Sequence, residues 1–100
     1  MTRKIDLSVN NTPIKVDYFV AGYLDHVTGG IVASLHDTGE IRRLKLTIDE
    51  KGDVRITLNG ADVPLNYFAM EIIRSTVLGM LAPLKGVEGA VSRLELNIER

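Results

Sequence analysis

Apolar and polar residues alternate one for one in four stretches of this chain. Ile5, Leu7 and Val9 alternate with Lys4, Asp6 and Ser8, and Val54, Ile56 and Leu58 with Asp53, Arg55 and Thr57. Leu44, Leu46 and Ile48, and Leu94, Leu96 and Ile98, do the same among polar neighbours. A period of two marks a strand that is buried on one face and wet on the other. The first and third stretches are followed by Asn10-Asn11 and Asn59-Gly60, dipeptides that tolerate the positive φ of a two-residue hairpin turn. The turns predict returning arms in which Ile14 faces Leu7 and Val16 faces Ile5, with Val63 opposite Ile56 and Leu65 opposite Val54. Pro13 and Pro64 each lack a ladder donor, so both arms are expected to be short and to lie at sheet edges.

The period then changes. Asp17 and Asn66, both preferred N-cap residues, each precede Tyr-Phe and a run with helical spacing, which predicts helices near 18–35 and 67–85. The first contains Gly22, Thr28, Gly29 and Gly30 and is a poor helix former on its own, so tertiary contacts must hold it. The second contains Pro83, which kinks or ends its last turn. Asp49-Glu50-Lys51-Gly52 reads as a turn that joins two strands into a central hairpin.

These elements recur. With a shift of 49, residues 5–37 overlay 54–86; with a shift of 50, residues 38–50 overlay 88–100, and Val87 is the single insertion. Eleven identities result, among them Asn10/Asn59, Tyr18/Tyr67, Phe19/Phe68, Gly30/Gly79, Leu46/Leu96 and Ile48/Ile98. The expectation is one domain over residues 1–100 made of two repeats, about 4–50 and 53–100. The fold class is α+β: a two-layer sandwich of one mainly antiparallel sheet with two helices on one face, built as tandem β-β-α-β units with pseudo-twofold symmetry. If the short arms are not strands, the order becomes βαββαβ, as in ferredoxin-like folds.

Composition narrows the function classes. A chain of 100 residues with 45% hydrophobic and 25% charged positions is an ordinary globular domain. With no cysteine it has no disulfide framework, thiol nucleophile or thiolate metal site. A net charge of -1, evenly spread, advertises no polyanion, and the expected outer sheet face carries no aromatic on which a base could stack. No apolar run approaches a membrane span and the first residues are not a secretion signal, so a cytoplasmic protein with no nucleic-acid or membrane partner is expected.

No catalytic, cofactor-binding or metal-ligating set emerges. His26 and His36 lie ten residues apart, about 15 Å along a helix, too far to share a metal, and the neighbouring His36-Asp37 has no nucleophile motif beside it. The helices are less ordinary. From Phe68 at 0° to Leu81 at 220° the second helical wheel holds no charge, whereas a sheet needs an apolar stripe of roughly 100 to 140°. Met70, Val77 and Leu81 are then a surplus flank, and Gly30/Ala33 with Gly79/Ala82 are expected to let the helices approach closely. The outer stripe of the first helix reads Gly22, Asp25, His26, Gly29, Ala33 and His36. Between 18–35 and 67–84 only Asp25, Glu71 and Arg74 carry charge, little for a helix layer facing water. The expectation is a non-enzymatic domain that associates with itself, as a dimer, or with another protein through its helices. The expected interaction surface is Gly22, His26, Gly29, Ala33, Met70, Val77, Leu78 and Leu81. A second reading is a small-molecule binding or regulatory module, with an apolar pocket near Tyr18, Tyr23, Tyr67 and Met70.

Overall fold

The computed structural model describes residues 4–35, 39–84, 86–87 and 91–100. In chain order its elements are β1 (Lys4–Val9), β2 (Thr12–Ile14), α1 (Tyr18–Leu35), β3 (Arg43–Ile48), β4 (Val54–Leu58), β5 (Ala61–Asp62), α2 (Tyr67–Leu81) and β6 (Leu94–Glu99). The strands form one antiparallel sheet in the order β2-β1-β6-β3-β4-β5. The fold is therefore α+β, one six-stranded antiparallel sheet and two helices packed together. The short arms are strands at the two edges, so the four-stranded, ferredoxin-like βαββαβ alternative is set aside.

Alternation carries the sheet. Leu7, Leu96, Leu46 and Ile56 lie side by side across four strands in register, and all four are buried. They share one hydrophobic cluster with Leu24 and Val32 of α1 and with Ile73, Val77 and Leu81 of α2, which places both helices on the same side. Lys45, Arg55, Asp6 and Glu95 alternate with these residues and face the other way.

Turn chemistry works as the sequence implies. Asn10 and Asn11 have φ of 52° and 66°, and Asn59 and Gly60 of 50° and 89°, the left-handed pair that a tight hairpin requires. The two arms stop early, however. β1 and β2 pair only from Leu7↔Ile14 to Val9↔Thr12, and β4 and β5 only at Thr57↔Asp62 and Leu58↔Ala61, followed by a single Val63 N–H to Ile56 O bond of 2.9 Å. The expected pairs Ile5/Val16 and Val54/Leu65 are not formed as ladder pairs. In the second arm Pro64 has no N–H with which to extend the pairing, and the chain turns into the cap of α2.

The turn asparagines do a second job. Asn59 Oδ1 accepts from Arg42 N (2.8 Å) and Arg43 N (2.9 Å), and its Nδ2 donates to Glu40 O (2.8 Å), fixing the start of β3. Asn10 Oδ1 accepts from Ser92 N (2.7 Å) and Arg93 N (2.9 Å), fixing the approach to β6. Backbone bonds of 2.8 Å run alongside, from Asn59 N to Arg43 O and from Asn10 N to Arg93 O. Asn59→Ala removes three such bonds and leaves a β-carbon side chain without polar compensation in a left-handed conformation. It is expected to lower the unfolding free energy by roughly 2 to 3 kcal/mol, read from urea titration.

Both helix starts are capped as expected. Asp17 Oδ1 accepts from Val20 N at 2.8 Å and Asn66 Oδ1 from Ala69 N at 2.7 Å. The far end of α2 differs from the expected residue 85. Regular helix ends at Leu81: Ala82 keeps helical dihedrals and donates to Leu78 O at 3.1 Å, but Pro83 has no N–H with which to continue the ladder.

Candidate interaction surface

The rotation of each helix about its axis decides what the helical layer shows to solvent. In α2 the buried residues are Ala69, Ile73, Val77, Met80 and Leu81. The exposed stripe is Phe68, Ile72, Ser75, Thr76 and Gly79, at the i, i+4, i+7, i+8 and i+11 spacing of one helical face. The sheet has taken the Val77 side of the wide apolar arc and left the Phe68 side outward. On α1 the aligned stripe is Phe19, Tyr23, His26, Val27 and Gly30, followed by Ser34, with Phe19, His26, Gly30 and Ser34 exposed.

The expected surface residues are thereby sorted. His26 and Ala33 are exposed, and Gly22, Met70 and Leu78 are half-buried. Val77 and Leu81 are core residues with no exposure, which removes them from the surface. Gly29 is also buried: a β-carbon there would lie 2.7 Å from Arg100 Nη2. Asp25, expected in the outer stripe, is 2% exposed and takes two bonds from the same guanidinium, Nε at 2.9 Å and Nη2 at 2.8 Å. Gly30 and Gly79 do not bring the helices together as expected, since an added β-carbon at either meets nothing within 4 Å. His36 and Asp37 lie outside the described residues, as does Lys85.

What the sequence did not disclose is the degree to which the aromatic residues are bare. Tyr18 is 93% exposed, Phe19 and Tyr67 75%, Phe68 71% and Ile72 40%. Each Tyr-Phe pair opens a helix that leaves an edge strand, so the two pairs start from opposite edges of the sheet. Phe19 stacks on Tyr23 with ring centroids 6.2 Å apart and planes inclined by 12°. Together with Tyr18, Gly22, His26 and Val27 they line a shallow depression of about 460 Å³.

Electrostatics leaves this layer nearly neutral. Its charged groups are Asp25, covered and paired with Arg100, and Glu71 and Arg74, which pair with each other while Arg74 Nη1 also donates to Gly52 O at 3.0 Å. Thr28, one turn beyond Asp25 on α1, is fully buried, and its hydroxyl has no hydrogen-bond partner among the described residues. Among the described residues, Tyr18, Tyr23, Tyr67 and Met70, expected about one apolar pocket, lie on separate surfaces. Tyr18 and Tyr23 share the depression on α1, Met70 lines a groove at the β4–β5 edge, and Tyr67 stands in solvent. Among the described residues no three His, Asp or Glu side chains are placed to hold a metal ion, and no helix is long and apolar enough to cross a membrane.

No protein-family model, curated protein or solved structure matches this chain.

Proposed function

We propose that this protein is a non-enzymatic association domain whose helical layer docks against a second copy of itself. The observation that carries the reading is the pair of aligned outward stripes, Phe19-Tyr23-His26-Gly30 and Phe68-Ile72-Ser75-Gly79, free of Asp, Glu, Lys and Arg and headed by bare aromatic rings. Large exposed apolar surface is a feature of binding faces. The mid-helix glycines point the same way. An exposed helical glycine costs about 1 kcal/mol relative to alanine, and no described residue lies close enough to Gly30 or Gly79 to supply a reason for it within one copy. A close-lying helix from a partner does. The molecule measures 35 × 34 Å across its broad dimensions, room for the roughly 800 Å² per partner of a standard interface.

The same reading takes the chain as two copies of one β-β-α-β unit related by a pseudo-twofold axis between β3 and β6. Leu46 pairs with Leu96, its own aligned residue, and Asn10 and Asn59 each hold the strand start aligned with the other's target. A layer repeated by such an axis presents two matching stripes, which suits a symmetric contact.

Light scattering behind gel filtration at micromolar concentration tests the association. A species of twice 11.0 kDa is expected, and a clean single-copy mass overturns the proposal. A companion measurement concerns the glycines. In a separated copy Gly79→Ala is expected to raise the unfolding free energy by about 0.5 to 1 kcal/mol, and in the associated protein to weaken the contact between copies. Gly79→Leu is expected to separate the copies with the melting transition retained.

A further inference from the structure

Two grooves run along the outer strands, one at each edge of the sheet. The first, about 590 Å³, lies where the β4–β5 ladder stops short, and its polar side is formed by Lys45, Arg55 and Thr57 and its apolar side by Leu65 and Met70. The second, about 480 Å³, occupies the aligned place beside β1 and β2, with Val16 where the first has Leu65. Their shapes correspond, and their charges are reversed. Asp6 aligns with Arg55 and Glu95 with Lys45, so the first groove holds two cations and the second two carboxylates.

We infer that the β4-edge groove is a binding site for a small amphipathic anion, a carboxylate or phosphate head carried on a short apolar chain. Register sets the head position. Lys45 lies opposite Thr57 and Thr47 opposite Arg55, which makes Lys45 and Arg55 diagonal neighbours on adjacent strands, about 7 to 8 Å apart at the backbone. Two long cationic side chains at that spacing close on one oxyanion, with the Thr47 hydroxyl beside them as a donor. Asp62 stands at the rim, where its Oδ1 accepts from Thr57 Oγ1 at 3.4 Å, and it reduces the groove's net charge to a single positive unit. That charge favours a monoanionic head. The tail has a place because Pro64 ends the pairing, leaving half-buried Leu65 and Met70 as a wall around the bare edge of β4. The β1-edge groove offers similar walls without the cations, and so serves as a built-in control. None of these residues belongs to the outward helical stripes, so the site stands independently of the association reading.

Heteronuclear NMR titration of the full chain tests it, with octanoate, octyl phosphate, inorganic phosphate and octylammonium as separate probes. Octanoate or octyl phosphate is expected to shift Thr47, Arg55, Thr57, Leu65 and Met70 saturably and to leave Asp6, Ser8 and Val16 in place; the stronger of the two identifies the head group. Inorganic phosphate, lacking the tail, and octylammonium, lacking the charge, are expected to bind this groove at least tenfold more weakly. Lys45→Glu with Arg55→Asp, which writes the opposite groove's residues into this one, is expected to weaken binding at least tenfold, and Lys45→Gln with Arg55→Gln to do so without adding acids. The signals of Leu46 and Leu96 report that each variant is folded. Equal shifts in both grooves, shifts confined to the exposed aromatics of the helices, or undiminished binding by the folded glutamine variant overturns the proposal.

Discussion

Lysine at both Phe19 and Phe68 is expected to leave a folded single-copy protein of 11.0 kDa, against the twofold mass proposed for the unaltered chain. The two rings are 75% and 71% exposed, so within one copy their removal costs little burial, and thermal unfolding followed by circular dichroism is expected to shift by only a few degrees at most. In the assembly the loss is large. Covering a phenylalanine side chain contributes about 1.5 to 3 kcal/mol, and a twofold contact counts each substitution twice. The four lost contacts together amount to about 6 to 12 kcal/mol, comparable with the about 8 kcal/mol of a micromolar complex before the cost of burying four ammonium groups is added. A double variant that keeps the mass of two copies contradicts the helical layer as the interface.

Arg100→Ala is expected to weaken the fold itself. Asp25 is nearly inaccessible at its side chain, whereas Arg100 is about one-third exposed, and the guanidinium lies across Gly29 to reach the carboxylate. Removing the arginine takes from a covered carboxylate the guanidinium that reaches it. Stranding a fully buried partner costs about 3 to 5 kcal/mol, and the partial exposure of the arginine reduces the expected loss to about 2 to 3 kcal/mol, on the order of a 10 °C drop in Tm. Adding Asp25→Leu replaces the covered charge with an apolar side chain of similar length and is expected to restore most of the lost stability, since apolar substitutes for covered ion pairs are often neutral or better. If the double variant is no more stable than Arg100→Ala, the loss comes from the packing of the arginine stem against α1 and not from the charge. The close approach at Gly29 makes Gly29→Ala uninformative here, because it displaces the same guanidinium.

The sheet was legible in the sequence because alternation and turn chemistry are local. The Asn10-Asn11 and Asn59-Gly60 turns, the Asp17 and Asn66 caps and the central hairpin all follow from residues within a few positions of each other. The helical layer was half legible. Its scarcity of charge is countable, but the direction in which the wheel turns is not: from Phe68 round to Leu81 the arc is uncharged, and periodicity cannot say which part meets the sheet. The structure buries Ile73, Val77 and Leu81 and turns Phe68 and Ile72 outward, so the expected list placed Val77 and Leu81 on the wrong side. Asp25 was misplaced for a different reason. Its partner is 75 residues away, and without that pairing a helical aspartate reads as solvated. The edge grooves depend on where two ladders stop, a length that the prolines signalled only in part.

The order of the strands has a consequence for how the polypeptide acquires its shape. β6 is wedged between β1 and β3, so residues 4–9 find their long neighbour only among residues 94–99. During synthesis β1 and β3 both wait with open hydrogen-bonding margins until the late-arriving strand slides in and closes the sheet in one cooperative event. Such distant pairing slows folding and lengthens the time at which a nascent chain is vulnerable to sticking. Arg43 and Lys45, spaced along the waiting margin of β3, are the kind of charged side chains that discourage a stray strand from taking β6's place.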